Sequence, residues 1–420
     1  MPDLNLGRNN MNNVLIIGIN FHPEIISTAV YSSGLAEHLS ESGRNVSVVT
    51  ANPYYPEWKV HPGWKRWRYS SRIHAEKISV IHCPLYVPSK PSFIKRVLHH
   101  LSFAATSFVP ILVNVMRNRP DVVLVVAPSL LSAPLALLCA KIRQCNTWLH
   151  IQDFEVEAAL ATGMMRKNSI LAKLANKFES WVLRKFNIVS TISDAMQAKL
   201  LQKGINRRRV FQFRNWTDTE NIYPLEKHNS LRKELGVHGK YVVLYSGNLA
   251  FKQGLEIIPQ VIKELSHRRD IVFLICGDGP MRAELMQSCP MQDNVKFVPL
   301  QPYAKLNSLL ACADVHLLPQ RADFDSLVLP SKLTNMLASG IPTVATTLPG
   351  SAIAEELEKS GVCVEPGNHL GVANAICKIL DDRKLRSTLG RNARQRALEH
   401  WGKQKIMQHL EDVLTSKLVD

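Results

Sequence analysis

The chain has 420 residues, 46% hydrophobic and 20% charged, as expected of a soluble globular protein with two or three domains. Its net charge of +16 predicts attraction to nucleic acid, an acidic membrane surface or phosphorylated ligands, without choosing among them. Its eight cysteines contain no CxxC pair and several lie in apolar runs. This excludes a disulfide framework or zinc site and indicates free thiols in a reducing compartment.

The N-terminal stretch is polar and does not have the pattern of a signal peptide, and Met11 is an alternative first residue to Met1. Residues 122–140 have the length of a membrane span, but Pro128 and Pro134 interrupt them. We therefore predict a buried strand at 122–126 and a buried helix at 130–142.

The first half of the chain begins with a βαβ pattern. A strand at 14–18, a glycine-containing loop, a helix at 29–42 and a strand at 46–50 predict a parallel sheet. Further strands are predicted at 122–126, 147–151, 188–191 and 210–213, and helices at 169–184 and 193–203. No GxGxxG is present, so a dinucleotide-binding fingerprint is absent.

A second alternation of strands and helices follows a mostly polar stretch at 219–239. The fold class is thus predicted to be α/β, with two Rossmann-like domains whose parallel sheets face a central cleft. The predicted divisions are an N-terminal domain at 11–218, a C-terminal domain at 240–395, and a helical segment at 396–420 that packs back on the N-terminal domain.

Aromatic and basic residues alternate within residues 52–100. The aromatic ones that alternate with Lys and Arg are Trp58, Trp64, Trp67 and Tyr69, within residues 58–72, and the helix-like run after them extends to residue 116. The pattern is typical of a contact with membrane headgroups, but it also fits a loop whose tryptophans pack into the domain, or a surface for single-stranded nucleic acid. All three interpretations are open at the level of sequence.

Ligands of open parallel sheets bind beyond the carboxyl ends of the strands, and the second half places glycines and lysines there. The candidates are Gly247, Asn248, Lys252, Gly277, Gly279, Ser331, Lys332 and Asn335. Glycine lets backbone approach a phosphate, lysine neutralises it, and a helix N-terminus offers free N–H groups. These features together predict a site for a nucleoside diphosphate, although glycine turns and a solvated lysine are also ordinary surface features.

The first half offers polar residues after its strands, in particular His22, Glu24, His150, Asp153 and Glu155. Asp153 and Glu155 are candidates to orient a hydroxyl nucleophile or to take its proton, although Asp153 also suits a helix cap. We expect His22, Glu24 and His150 to face the acceptor. Since no HxxxH or HxH spacing occurs, we expect neither a metal nor a cofactor.

Several of these motifs resemble those of a known family. The segments SGNLAFKQGLE (246–256), GDGP (277–280), VLPSKLTNMLASG (328–340) and LHIQDFEVEAAL (149–160) resemble the GT-B fold glycosyltransferases of family 4, and within it the colanic-acid-type fucosyl glycosyltransferases. The resemblance implies a sugar-nucleotide donor held by the C-terminal domain, with Lys252 on its diphosphate. The two glutamates of the family's EX7E motif are replaced by Leu327 and Asn335, so Ser331 and Lys332 are expected to supply part of the diphosphate contact.

The predicted function is therefore that of a retaining glycosyltransferase that moves L-fucose from GDP-fucose onto a lipid-linked oligosaccharide during bacterial exopolysaccharide synthesis. The resemblance implies a cytoplasmic enzyme peripheral at the inner membrane, to which residues 58–116 would attach it, with no nucleic-acid partner. Two alternatives are a sugar-nucleotide epimerase of similar fold and a non-enzymatic protein that binds an anionic membrane or polymer.

Overall fold

The computed structural model describes residues 12–161, 165, 169–225, 230–289, 294–322 and 329–418. The chain divides into two compact units. The first runs up to Arg214 and includes the segment from Met407, and the second extends from Asn215 to Ile406. Each unit contains one mainly parallel β-sheet with helices packed against it.

Within the described residues, eight strands form the sheet of the first unit. They are β1 (Asn13–Gly18), β2 (Asn45–Ala51), β3 (Ser70–His74), β4 (Ile78–Cys83), β5 (Val122–Ala127), β6 (Asn146–Ile151), β7 (Ile188–Thr191) and β8 (Val210–Gln212). Their order is β3-β4-β2-β1-β5-β6-β7-β8, and only β3 runs antiparallel to its neighbour. The order reverses between β1 and β5, which is where open parallel sheets form ligand sites.

The helices of the first unit fall on the two faces of this sheet. They are α1 (Ser27–Glu41), α2 (Phe93–Asn118), α3 (Ala133–Arg143), α4 (Glu155–Ala161), α5 (Ile170–Lys185) and α6 (Asp194–Gln202). The connections from β4 to β5, β5 to β6 and β6 to β7 step in one direction across the sheet, whereas β1 to β2 steps in the other. Because such crossovers are right-handed, α2, α3 and α5 lie on one face and α1 on the opposite face.

The uncharged runs at 101–116 and 122–140 of the sequence form helix and strand elements of the first unit. The predicted strand and helix at 122–142 are confirmed as β5, which is buried throughout, and α3. Among the described residues, α2 is the helix whose length and composition would allow a membrane span. One side of α2 packs against β1, β2 and β4, so it is a helix of the domain with its other side exposed.

The aromatic-basic stretch contains packed tryptophans and a hairpin that the sequence did not predict. The ring of Trp58 lies 5.4 Å from that of His99, with the Arg96 guanidinium 5.3 Å above it. Trp64 lies 4.3 Å from His82 under Arg72. The packing interpretation therefore holds for these two tryptophans, whereas the side chain of Trp67 is 66% exposed.

The second unit has a six-stranded sheet within the described residues, and all neighbouring strands are parallel. The strands are β9 (Tyr241–Ser246), β10 (Ile271–Cys276), β11 (Val295–Val298), β12 (Val315–Leu318), β13 (Thr343–Thr346) and β14 (Gly361–Val364). Their order β11-β10-β9-β12-β13-β14 is that of a Rossmann sheet, with its reversal between β9 and β12.

Helices cover both faces of this second sheet, and they are α7 (Ser230–Glu234), α8 (Ile258–Glu264), α9 (Arg282–Ser288), α10 (Leu306–Leu310), α11 (Ser331–Ala338), α12 (Ala352–Leu357), α13 (His369–Asp381) and α14 (Arg383–His400). The polar stretch predicted as a linker, 219–239, contributes Ile222, Leu231 and Val237 to the cores of this unit. Leu333 and Met336 of α11 are buried there, in agreement with their helical spacing in the sequence.

The C-terminal helical region is interrupted at Trp401, so the predicted edge at residue 395 lies inside α14. The last helix, α15 (Lys403–Leu418), begins after this break. Glu411 on α15 accepts a 2.8 Å hydrogen bond from Arg44 and lies 3.1 Å from His38. These contacts belong to the first unit, to which the segment from Met407 is assigned.

Candidate functional site

Two glycine turns follow the neighbouring strands β9 and β10. Gly247 donates its N–H to the carbonyl of Cys276 at 3.0 Å, and Gly277 has a φ of 153°. A Cβ on Gly277 would overlap the carbonyl oxygen of Gly247. Glycine at 277 therefore allows the backbones of the two loops to touch at the carboxyl edge of the sheet.

Backbone hydrogen bonds continue this contact along both loops. Leu249 donates its N–H to the carbonyl of Asp278 at 2.8 Å, and Met281 donates to the carbonyl of Leu249 at 2.9 Å. A Cβ on Gly279 would overlap that same carbonyl. The loops are thus fixed to each other by main-chain atoms, and the side chain of Asn248 between them is exposed.

Lys332, in the first turn of α11, points back to the loops that follow β9. Its Nζ donates to Oε1 of Gln253 at 2.7 Å and lies 4.6 Å from the ring centroid of Tyr245. Its Cδ would lie 3.7 Å from a Cβ placed on Gly247. A cation, a glycine turn and a helix N-terminus therefore come together at the carboxyl edge of β9.

Tyr245 is a member of this site that the sequence analysis did not identify. Its ring is buried at the end of β9, and its hydroxyl donates to the carbonyl of Asn248 at 2.8 Å. Burial raises the pKa of Tyr245, so the hydroxyl remains a donor at neutral pH. No sequence signal separated this tyrosine from other strand residues, whereas Gln253 is adjacent to the predicted Lys252.

The remaining predicted donor residues have different environments. Ser331 is exposed at the first position of α11. The side-chain oxygen of Asn335 accepts a hydrogen bond from the hydroxyl of Thr217. Lys252 lies in a short 3-10 helix at Phe251–Gln253, but its side chain lies outside the described part of the chain, as does Leu327.

In the first unit, His150 at the carboxyl end of β6 is a buried member of a polar chain. Nε2 of Gln152 lies 3.2 Å from its Nε2, and its Nδ1 lies 2.9 Å from the hydroxyl of Ser190. That hydroxyl also accepts from the indole N–H of Trp148 at 2.7 Å. Burial lowers the pKa of His150 to about 3, so the ring is neutral and positions neighbouring groups.

The buried histidine predicts a pH dependence of stability. The pKa of His150 is lower in the folded state than the ordinary 6.5, so the unfolded chain binds the proton more strongly. The stability associated with this group is present above about pH 6.5 and is lost as the pH falls toward about 3. Below about pH 6, we expect the free energy of unfolding to fall about 1.4 kcal/mol per pH unit more steeply in wild type than in His150→Gln. Urea titrations at several pH values measure both slopes, and parallel slopes would contradict the assignment.

The two predicted carboxylates differ in exposure. Glu155 begins α4, and its carboxylate accepts the N–H of Leu130 at 2.9 Å. Burial raises the pKa of Glu155, against the opposing effect of its backbone hydrogen bonds. Asp153 is exposed. Glu155 therefore ties the loop after β5 to α4, and Asp153 is the carboxylate that solvent reaches.

Glu24 connects the loops that follow β1 and β2. It is 5% exposed and accepts the N–H groups of Tyr54 and Tyr55, each at 2.8 Å, and the side-chain amide of Asn20 at 2.7 Å. Burial raises the pKa of Glu24, and these hydrogen bonds act in the opposite direction. His22 is exposed. In the loop after β1, His22 is thus accessible to a ligand, whereas Glu24 holds this loop against the loop after β2.

No cluster of three or more His, Cys, Asp or Glu able to hold a metal ion occurs within the described residues. The chemistry available at the carboxyl edge of β9 comes from Lys332, the hydroxyl of Ser331 and the first-turn N–H groups of α11. Such an arrangement suits a phosphate-bearing ligand.

Comparison with known proteins identifies the family. The model of the glycosyl transferases group 1 family matches residues 227–396, and that of the glycosyl transferase 4-like domain matches 28–216. "Putative colanic acid biosynthesis glycosyl transferase WcaI" of Escherichia coli (strain K12) is 39% identical over 365 residues, which are 84% of this chain and 88% of WcaI.

Solved structures of glycosyltransferases have the same fold as this chain. Sucrose-phosphate synthase from Thermosynechococcus elongatus superposes with a TM-score of 0.73 at 17% identity, over 96% of this chain and 98% of the synthase. HepE of Anabaena in complex with UDP-glucose has a TM-score of 0.66 at 15% identity, over 96% of this chain and 99% of HepE. The chain therefore belongs to the glycosyl transferases group 1 family and is a family 4 glycosyltransferase of the GT-B fold.

Proposed function

We propose that this glycosyltransferase moves L-fucose from GDP-fucose onto a lipid-linked oligosaccharide in the synthesis of a colanic-acid-type exopolysaccharide. The second unit would hold the donor and the first unit the acceptor. The observation that supports a site for the donor diphosphate in the second unit is the meeting of Lys332, the turn at Gly247 and the N-terminus of α11 at the carboxyl edge of β9.

The chemistry of this site suits a leaving diphosphate. Negative charge develops on the diphosphate as the bond to the sugar breaks, and fixed donors stabilise it most where water is excluded. Lys332 supplies a full charge, and Ser331 a hydroxyl beside the free N–H groups of the helix N-terminus. Lys252, Gly277, Gly279 and Asn248 complete the proposed contact, and Asn335 stands at the ribose end.

For the acceptor, we propose that Asp153 orients or deprotonates the attacking hydroxyl, because it is the exposed carboxylate after β6. His22 would contact the acceptor, and Glu24, His150 and Glu155 would position the surrounding loops through the hydrogen bonds described above. Transfer with retention of configuration, and without metal or other cofactor, is part of the same proposal.

The exopolysaccharide assignment is supported by the similarity to WcaI, whose name places it in colanic acid biosynthesis. Fucose as the donor sugar follows only from the motif resemblance to the colanic-acid-type fucosyl glycosyltransferases. A cytoplasmic enzyme at the inner-membrane surface, attached within residues 58–116, fits a lipid-linked acceptor, and we propose no nucleic-acid partner. The structure of HepE contains UDP-glucose, so UDP is the alternative nucleotide that the test below compares with GDP.

The experiment that tests the donor is thermal and chemical unfolding of the purified protein with GDP, UDP, ADP or dTDP. A ligand that binds only the folded state at 100 times its dissociation constant adds about 2.7 kcal/mol to the free energy of unfolding. We expect that stabilisation with GDP alone. Stabilisation by UDP instead would overturn the GDP-fucose assignment and keep the nucleotide site, and no stabilisation by any of the four would overturn the site itself.

A further inference from the structure

The outer side of α2 is an uninterrupted apolar stripe. Its large side chains are three or four residues apart, except for one interval of eight residues, which is about two helical turns. They are Ile94, Leu98, Leu101, Val109, Val113 and Met116, and each is at least 40% exposed. That spacing places them on one side of a helix. The opposite side, with Phe103 and Ile111 fully buried, packs on the sheet.

The apolar surface continues onto the next two helices. On α3, Leu138 and Ile142 are 53% and 54% exposed. On α5, Ile170, Leu174 and Trp181 are 78%, 59% and 46% exposed. Monomeric soluble proteins seldom expose so many large apolar side chains together, and such patches mark interaction sites.

These three helices lie side by side. α3 contacts both α2 and α5, and right-handed crossovers place all three on one face of the first sheet. Their exposed residues therefore point away from the sheet in the same direction. We define this surface, formed by the outer sides of α2, α3 and α5, as the apolar helix face.

The charges on the apolar helix face are of one sign. Its exposed cations include Lys95, Arg117, Lys141, Arg143, Lys173 and Lys177. All residues of the three helices are described, and the single carboxylate among them, Glu179, is 2% exposed and paired with Lys203 at 2.6 Å. An apolar surface that carries exposed Lys and Arg, a tryptophan and no exposed carboxylate is complementary to an anionic bilayer.

A second copy of the chain would fit this face less well. A twofold-symmetric interface brings the same patch of two subunits together. The cations around the patch would then face like cations with no exposed carboxylate in the three helices to pair with them. Charge complementarity thus favours a surface of anionic lipid.

We infer that the apolar helix face is the membrane-docking surface of this enzyme, with anionic phospholipid as its ligand. The inference rests on the proposed lipid-linked acceptor, and it locates the attachment. Within residues 58–116, the membrane contact is thereby assigned to α2, and Trp58 and Trp64 are not part of it. The membrane contact also includes α3 and α5, which lie outside residues 58–116.

The test is co-sedimentation of the full-length protein with vesicles of phosphatidylglycerol and phosphatidylethanolamine. The double variant Leu98→Glu/Leu174→Glu removes apolar contact on two helices and adds charge that anionic lipid repels. We expect its partition coefficient to fall about tenfold or more, which corresponds to at least about 1.4 kcal/mol. The matched control is Leu300→Glu/Leu370→Glu, which changes two exposed leucines of the second unit and should bind vesicles like wild type.

Two results would overturn the inference. One is wild-type binding by the double variant, and loss of binding in Trp67→Ala would then place the contact at Trp67. The other is no vesicle binding by the wild-type protein, and a dimer in solution that the double variant dissociates would then assign the face to a second copy of the chain. Stabilisation by a nucleoside diphosphate is measured without lipid. If the double variant is still stabilised by the nucleotide but does not bind vesicles, the donor site is intact and only the membrane contact has been lost.

Discussion

Replacing Lys332 by methionine is expected to lower kcat for sugar transfer by about 10²–10³, the usual cost of removing one preorganised electrostatic donor from a site where charge develops. Methionine keeps an unbranched stem beside Gly247 and Tyr245 and removes the charge and the donor to Gln253. Because Lys332 is only partly buried, the free energy of unfolding should change little. Steady-state transfer assays, with unfolding of the same preparations, measure both quantities.

Lys305→Met is the matched control for this prediction. Lys305 is also in the second unit, at the start of α10, and pairs with Glu234 on the surface at 3.1 Å. Its loss should leave kcat near that of wild type. If Lys332→Met retained at least a third of wild-type kcat, a change of about 0.65 kcal/mol in the barrier, Lys332 would have no place in stabilising the leaving diphosphate.

The fold was predictable where apolar periodicity and helix caps were strong. The strand now called β5 lies where its valines predicted it, and Ser193 caps α6 by accepting the N–H of Met196. The hairpin of β3 and β4 was missed because β3 is largely exposed and polar, so it has no apolar pattern to recognise. Its turn also uses a positive φ at Ala75 and Glu76, residue types that carry no turn signal.

The candidate site was predictable in its positions and much less in its contacts. Glycines and lysines after strands are visible in a sequence, since parallel topology brings those loops to one edge. The hydrogen-bond partner of a lysine depends on which residues the fold brings close to it. The bond from Lys332 to Gln253 could therefore not be predicted from the sequence. For the same reason, the full burial of Glu24 and the partial burial of Glu155, which distinguish these positioning carboxylates from the exposed Asp153, emerged only with the fold.

Gly277→Ala is expected to destabilise the protein by about 2–6 kcal/mol. About 1–3 kcal/mol comes from forcing a residue with a Cβ into the φ of 153°. A further 1–3 kcal/mol or so comes from overpacking, because the methyl group would overlap the carbonyl oxygen of Gly247 and both partners are backbone that cannot rotate away. Urea unfolding measures the loss.

Gly367→Ala separates these two contributions. Gly367 also has a positive φ, 84°, but a Cβ there meets no atom within 4 Å. It should therefore show only the backbone cost, about 1–2 kcal/mol. The collision at Gly277 also pushes apart the two turns that would receive the diphosphate, so Gly277→Ala should lose stabilisation by the nucleoside diphosphate, which Gly367→Ala should keep. Equal losses in the two variants would mean that the loops after β9 and β10 move apart easily, and that the contact between them does not shape the site.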